Sequence, residues 1–233
     1  MSGPGHGVGA SGHGLTGIAD AGAFLTRLTR LDPGALVRLR PLGDTGRTSL
    51  WARVPWQVLV GRTVAGTAPG DVTVSAGELL AELRAGRQAL PVRRDADWRQ
   101  ALPPSAGRVV ESVPAEELRR LAAAAADALR AAAAAAPAVG ERRVRDALLD
   151  HLAIVVSGPP GTGPARVEVP QRLVQAVVRM GFLGPRSDAA PARSGQTVPD
   201  VVHVLFIRNW VGLSAPFGVA WMRSVDNLAL TPV

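Results

Sequence analysis

The segment GPPGTG at residues 158–163 is the clearest candidate for chemistry, because it has the Gly-x-x-x-x-Gly spacing of an ATP-binding P-loop. In a P-loop the next two positions supply a Lys for the β- and γ-phosphates and a Ser or Thr for Mg²⁺. Pro164 and Ala165 stand there and can do neither. The RVEV segment that follows alternates like a strand, whereas a P-loop opens a helix. We therefore predict a solvent-exposed hairpin loop that binds no nucleotide.

The other candidates for catalysis are isolated titratable side chains. Asp150 and His151 are adjacent at a helix end, but consecutive helical residues do not face each other, so we expect no catalytic pair. His203 lies in an apolar strand and is expected to be a half-buried structural residue. His6 and His13 lie in a Gly-rich segment and are expected to be solvated rather than metal-bound. The sequence therefore assigns no catalytic residue, cofactor or metal ligand, and the prediction leans away from an enzyme.

Arginines in the second half of the chain support an alternative, a winged-helix-like DNA-binding protein. The predicted order of a helix (114–136), a second helix (141–152) and a hairpin (153–170) is that of the second half of a winged helix. The nucleic-acid contacts in this interpretation are Arg142, Arg143, Arg145, Arg172 and Arg179. Acidic residues in the second helix cancel its charge, however, and the predicted wing tip, GPPGTGPA, has no basic residue for phosphate.

Hydrophobic periodicity predicts an α+β chain in which antiparallel β-hairpins pack against several amphipathic helices. Phe24, Leu25 and Leu28 share one face of a first helix, and strand alternation places Arg38 and Arg40 together. The longest helix opens after Pro114 with acidic residues in its first turn, as the helix dipole favours. Its predicted buried stripe is Leu118, Leu121, Ala125 and Leu129.

Composition divides the chain into three parts. Residues 1–20 are Gly-rich and are predicted to be a disordered tail. Residues 21–107 form an N-terminal α+β half and residues 108–233 a C-terminal α+β half, with a Pro- and Arg-rich crossing segment at 87–107. One continuous domain is the alternative to two halves.

A weak internal similarity indicates an approximate two-fold repeat. PWQVLVGRTV (55–64) and PFGVAWMRSV (216–225) share Pro, Val, Arg and Val in register, with conservative matches at the aromatic and at Thr or Ser. A true repeat places Trp56 and Phe217 at matching core positions, and Arg62 and Arg223 at matching surface positions. Chance similarity in a low-complexity composition is the alternative.

The composition narrows the class of protein. All 26 basic residues are Arg, and Lys, Tyr and Cys are absent, which is typical of a high-G+C bacterial genome. The lack of Cys excludes disulfides, thiolate metal sites and a Cys nucleophile. Neither a signal peptide nor an apolar run of membrane-spanning length is recognisable, so we predict a cytoplasmic protein without membrane association. The net charge of +7 favours acidic partners only mildly.

Four segments resemble uncharacterised conserved-hypothetical proteins of actinobacteria. They are LWARVPWQVLVGRTV, VRDALLDHLAIVV, VEVPQRLVQAVVRMGFLG and WVGLSAPFGVAW. The resemblance covers most of the chain after residue 20 and implies no activity, cofactor or catalytic residue.

The sequence predicts a non-catalytic binding or interaction protein, with an unknown protein partner or self-association. Residues 21–60 hold six Arg against Asp32 and Asp44, a local charge of +4, which predicts a modest basic surface there. Duplex DNA is expected to bind weakly, non-specifically and with steep salt dependence. The alternatives are the winged-helix-like DNA-binding protein and an enzyme of unknown type.

Overall fold

The computed structural model describes residues 12–104, 107–135, 141–157, 166–185 and 200–224. The chain forms two compact units: unit 1 is Met1–Ala52 with Arg62–Gln100, and unit 2 is Arg53–Gly61 with Ala101–Val233. Each unit has antiparallel strands packed against helices, which confirms the predicted α+β class.

Unit 1 is built from two helices and four neighbouring strands. In chain order the elements are α1 (Ile18–Leu31), β1 (Leu36–Pro41), β2 (Arg47–Arg53), β3 (Leu59–Ala65), β4 (Val72–Ser75) and α2 (Ala76–Arg84). The strand order is β4-β1-β2-β3, and β1 is antiparallel to both β2 and β4. Strand alternation buries Val37 and Leu39 of β1, while α1 buries Phe24, Leu25 and Leu28.

Unit 2 contains a larger sheet and a separate hairpin. Its elements are β5 (Arg108–Pro114), α3 (Ala115–Ala135), α4 (Glu141–Asp150), β6 (Leu152–Ser157), β7 (Arg166–Pro170), α5 (Gln171–Arg179), β8 (Val201–Ile207), β9 (Trp210–Ala215) and β10 (Gly218–Arg223). Residues 59–61 of β3 belong to this unit and pair with β10, so the strand order is β3-β10-β9-β8-β5. β6 pairs only with β7 among the described strands. In α3, Leu118 is buried, whereas Leu121, Ala125 and Leu129 of the predicted stripe are half-buried.

The two units share an arrangement of elements in the sheet, although not their full order along the chain, which supports the predicted repeat. In each, a helix precedes three consecutive strands that are neighbours in the sheet: α1 with β1-β2-β3, and α5 with β8-β9-β10. In each, a further strand pairs with the first of the three and runs directly into a helix: β4 into α2, and β5 into α3. The two similar segments occupy the same place, a Pro-aromatic turn and the strand after it.

The repeat prediction is wrong in two details: the burial of the two aromatic residues, and the exposure of Arg62, whose side chain is only 11% exposed and pairs with Asp20 whereas Arg223 is exposed. Trp56 and Phe217 are half-buried, because each lies in the turn before its strand and not within the strand. Truncation of either ring therefore removes less buried surface than a core position would.

The predicted disordered tail is wrong for residues 12–20. The His13 side chain is fully buried, accepts a hydrogen bond from the Leu15 N–H at Nδ1 (3.0 Å), and bonds the Arg87 carbonyl through Nε2 (3.1 Å). Leu15 is buried as well, and α1 already begins at Ile18. Two buried side chains anchor this segment despite its glycines.

Candidate nucleic-acid interface

Three arginines lie close together on the helix pair of unit 1. Arg27 and Arg30 are one turn apart on α1, and Arg84 lies in the last turn of α2, which packs against α1. The Arg84 guanidinium donates to Thr26 Oγ1 (3.2 Å), so it reaches across to the segment of α1 that carries the other two. Arg30 and Arg84 are exposed and Arg27 is half-buried.

These three arginines differ in their partners from most of the other arginines of unit 1. Most of the others are neutralised by a carboxylate: Arg38 and Arg40 by Asp71, Arg62 by Asp20, Arg87 by Glu82, Arg93 by Asp95 and Arg94 by Asp97. Within the described ranges, no carboxylate forms an ion pair with Arg27, Arg30 or Arg84. We call these three residues the helix arginines; they are a local concentration of uncompensated positive charge.

Arg38 and Arg40 of β1, which the sequence also predicts to be part of the basic surface, both pair with Asp71. Arg38 donates two hydrogen bonds to Asp71, from Nε (2.6 Å) and Nη2 (2.8 Å), and its guanidinium lies 5.8 Å from the ring centre of Trp98. The hydrogen bonds from Arg38 lower the pKa of the Asp71 carboxyl. Because Asp71 neutralises Arg38 and Arg40, the basic surface is smaller than the number of Arg residues in 21–60 suggests. Asp71 lies outside that range, so the count of charges did not include it.

The arginines of the winged-helix alternative have mixed surroundings. The side chains of Arg142 and Arg143 lie outside the described residues, and Arg145 and Arg179 are exposed. Arg172 is engaged within unit 2: it forms an ion pair with Asp150 and donates to the Trp56 carbonyl (3.4 Å), while Trp56 Nε1 donates to the Arg172 carbonyl (3.1 Å).

His203 and His151 both lie at the surface of the described structure. His203 is exposed, in contrast to the predicted half-burial, and its Nδ1 lies 2.9 Å from Ser112 Oγ on the neighbouring strand. His151 is exposed as well, and the adjacent Asp150 pairs with Arg172. Across the described part of the chain, no cluster of three or more His, Asp or Glu side chains could hold a metal ion.

The P-loop-like segment at 158–165 lies outside the described residues, but the strands on both sides of it are described. β6 and β7 are antiparallel, with Val156 opposite Val167 and Ser157 opposite Arg166. The segment thus connects two paired strands rather than a strand and a helix, which removes the structural context that a P-loop requires.

None of the helices in the described ranges has the length and apolar character needed to cross a membrane.

Two family profiles match consecutive parts of the chain. One, Domain of unknown function (DUF8010), matches residues 15–100, and the other, Domain of unknown function (DUF8185), matches residues 102–227, more than half of the chain. The chain belongs to the DUF8185 family. No curated protein matches it.

Solved structures with a similar fold include beta subunits of bacterial DNA polymerase III and DNA polymerase sliding clamps. The beta subunit from Pseudomonas aeruginosa gives a TM-score of 0.52 at 13% identity, over 90% of this chain and 63% of that one. The Streptococcus pyogenes beta subunit gives 0.53 at 12%, over 89% and 62%. A DNA polymerase sliding clamp from Caulobacter crescentus gives 0.50 at 15%, over 90% and 64%. This DUF8185 chain therefore spans less than two thirds of their length and shares their fold.

Proposed function

We propose that this chain is a non-catalytic binding protein that holds duplex DNA through sequence-independent contacts of the helix arginines, together with a protein partner or a second copy of itself. The observation that carries the proposal is the set of three neighbouring arginines without a described carboxylate partner, on a fold similar to that of sliding clamps.

The chemistry of arginine suits such contacts. A guanidinium stays charged at every physiological pH and matches phosphate oxygens with parallel N–H groups. Each phosphate that is neutralised releases condensed counterions, so the affinity falls steeply as salt rises. Contacts of this kind carry no sequence information, which suits a protein that holds DNA without choosing a site.

A purely structural role for the same residues is the competing interpretation. Arg30 and Arg84 each lie in the last turn of a helix, where the helix dipole favours a cation by about 0.3–1 kcal/mol. This role predicts a loss of stability, but no effect on DNA, when the arginines are removed. Binding and unfolding measurements on the same variant separate the two roles.

The test compares two triple variants of equal charge change. One replaces the helix arginines (Arg27→Gln, Arg30→Gln, Arg84→Gln). The control replaces three exposed arginines that already have a carboxylate partner (Arg87→Gln, Arg93→Gln, Arg94→Gln). Fluorescence anisotropy with two duplexes of unrelated sequence measures binding.

We expect the wild type and the control to bind both duplexes with equal, weak affinity, and the helix triple to lose binding at moderate salt. Equal losses in both triples would reduce the proposal to a net-charge effect and overturn the assigned surface. Nanomolar binding that distinguishes the two duplexes would favour the winged-helix alternative instead.

A further inference from the structure

Thr26 of α1 lies among the helix arginines. It directly precedes Arg27 and stands one turn before Arg30, at the i,i+4 spacing that sets Cβ atoms about 5–6 Å apart on a helix surface. Its Oγ1 accepts a hydrogen bond from Nη2 of Arg84 (3.2 Å), which belongs to α2. One hydroxyl therefore holds the guanidinium of α2 against the part of α1 that carries the other two arginines.

The chemistry of this acceptor distinguishes Arg84 from the next arginine along the chain. Arg87 donates to the Glu82 carboxylate from Nε (2.9 Å) and Nη2 (2.8 Å), so its positive charge is compensated. The Thr26 hydroxyl is neutral, so it fixes the direction of the Arg84 guanidinium without compensating the charge. A guanidinium carries several N–H groups, and a single bond to Thr26 leaves enough of them for the paired contact that a phosphate accepts.

Arg27 is ordered by a neutral acceptor as well. Its Nη1 donates to the Ala23 carbonyl one turn earlier on α1 (3.4 Å), and its side chain is half-buried. A long flexible side chain that becomes fixed only on binding lowers the affinity, because it loses rotamer freedom. A side chain that is already ordered in the free protein avoids most of this loss. Arg27 and Arg84 thus retain their charge and are both held in place before any ligand binds.

We propose that Thr26 is a positioning residue for DNA binding: its hydroxyl orders Arg84 in the free protein, in the position from which the guanidinium contacts a phosphate. The inference rests on the proposed function and assigns a part in it to a neutral residue, which acts through Arg84 and not through a charge of its own. Loss of the hydroxyl should weaken DNA binding by about three- to tenfold, the usual cost of ordering one long side chain.

Three variants of α1 that leave the net charge unchanged test this role. Thr26→Val replaces the hydroxyl by a methyl group of similar size, and Thr26→Ser keeps the hydroxyl. Thr29→Val is the matched control, because the Thr29 hydroxyl donates to carbonyls of α1 itself, those of Leu25 (2.9 Å) and Thr26 (3.3 Å). Fluorescence anisotropy with one duplex at moderate salt should show the loss for Thr26→Val, and wild-type affinity for Thr26→Ser and Thr29→Val.

A double-mutant cycle with Arg84→Gln separates positioning from a structural role in α1. In the Arg84→Gln background, Thr26→Val should weaken binding no further, because the hydroxyl then has no guanidinium to hold. The salt dependence of Thr26→Val should lie between that of wild type and that of Arg84→Gln, whose slope is smaller by about 0.9 if one phosphate contact is lost. Equal losses in both backgrounds would show that Thr26 supports the helix alone, and would overturn the inference.

NMR of the free chain tests the ordering of Arg84 without DNA. The Arg84 Nε–H signal is assigned by its absence from the Arg84→Gln spectrum. Its order parameter should fall in Thr26→Val and stay unchanged in Thr29→Val, since only the former removes the acceptor. The same order parameter in wild type and Thr26→Val would contradict the positioning role.

The outcomes distinguish this inference from the proposed function. If the helix triple loses DNA binding while Thr26→Val binds like wild type, the inference is wrong and the proposed function stands. If the helix triple binds like wild type, the proposed function is wrong, and the role of Thr26 in DNA binding is wrong with it.

Discussion

Gly212 lacks a side chain because Trp221 of the neighbouring strand lies against it. A Cβ atom at Gly212 would stand 2.5 Å from Cε3 of the indole, and one at Gly107 would stand 2.5 Å from its Cη2. The indole is 4% exposed, so it cannot move aside into solvent. The two glycines therefore form the slot that holds the largest side chain on this face of β10.

Replacement of Gly212 by Ala tests this slot. We expect Gly212→Ala to lower the free energy of unfolding by about 1–3 kcal/mol, because the added methyl group overpacks a closed site. Gly22→Ala is the matched control: nothing lies within 4 Å of the added Cβ, and Gly22 is inside α1. It should raise stability by about 0.5–1 kcal/mol. Urea unfolding measures the change in unfolding free energy of each variant. Changes of the same sign in both variants would contradict the packing described.

The Arg38–Asp71 pair predicts a pH dependence of stability. The Asp71 pKa is lowered in the folded chain from its ordinary value of 3.8, first by the Arg38 hydrogen bonds. The stabilisation is therefore complete above that ordinary value and is lost as the pH falls through the lower folded pKa. The difference in unfolding free energy between wild type and Asp71→Asn should be below about 1 kcal/mol at neutral pH, since the pair is partly exposed. It should close below about pH 4; a difference that grows in acid would contradict the pairing.

For single residues, the sequence correctly predicted which side chains share a face of a strand, but it did not predict the distant residues with which they pair. Strand alternation correctly placed Arg38 and Arg40 together, because it depends on neighbours two residues apart. It could not show that Asp71 neutralises both, since that contact depends on the pairing of β1 with β4. His13 was misjudged for the same reason: its partner at residue 87 is distant in the sequence.

At the scale of elements, Arg119 fixes the start of α3 to the chain around it. Its side chain is 11% exposed and donates to the Leu183 carbonyl (3.2 Å), and it forms ion pairs with Asp200 (3.6 Å) and Glu116 (3.3 Å). One guanidinium thus joins α3 to the turn after α5 and to the residue that leads into β8.

Replacement of Arg119 by Met tests this anchor against its neighbour on the same helix. Arg119→Met should destabilise the protein by about 1–3 kcal/mol, because it leaves partly buried carbonyls without a donor. Arg120→Met should cost less than about 0.5 kcal/mol, since Arg120 is exposed and pairs only with Glu117 one turn away. Thermal unfolding compares the two. Equal effects would show that Arg119 contributes no more than a surface ion pair.

The hairpin of β6 and β7 should fold without its long connection. Replacement of residues 158–165 by Asn-Gly joins Ser157 and Arg166, the last paired positions, through a two-residue turn. The shorter loop should change stability by no more than about 1 kcal/mol, because closure entropy depends on the logarithm of length. Loss of the fold would show that these residues are structural. Micromolar binding of a fluorescent ATP analogue to the intact chain, abolished by the replacement, would show that the motif is functional.

Most helices and strands were predictable because their periodicity is local. The helix with Phe24, Leu25 and Leu28 on one face is α1, the strand with Arg38 and Arg40 is β1, and the helix that opens after Pro114 is α3. The burial of the two Pro-aromatic residues was not predictable, since each stands just outside its strand, where alternation no longer applies. The shared arrangement of strands and helices in the two units became visible only from strand pairing, which a sequence pattern does not encode.

At the scale of the whole molecule, the sequence argued against several classes of protein and site but did not identify the fold. Composition and motifs argued against a P-loop enzyme and a thiolate metal site, and they indicated a binding protein. The clamp-like fold could not be inferred, because the similar structures share only 12–16% of residues with this chain, too few to leave a shared motif. The helix arginines could not be singled out from the sequence either. Their lack of an ion pair in the described ranges became clear only once the ion pairs of the other arginines were known.

The salt dependence of DNA binding tests the central claim most directly. The logarithm of the binding constant should fall linearly with the logarithm of salt concentration, by about 0.9 for each phosphate contacted. If the helix arginines contact phosphate, the variant that lacks all three should have a slope about 2.7 smaller than wild type. The control triple at Arg87, Arg93 and Arg94 should keep the wild-type slope. Identical slopes for wild type and the helix triple would contradict the assignment of DNA contacts to α1 and α2.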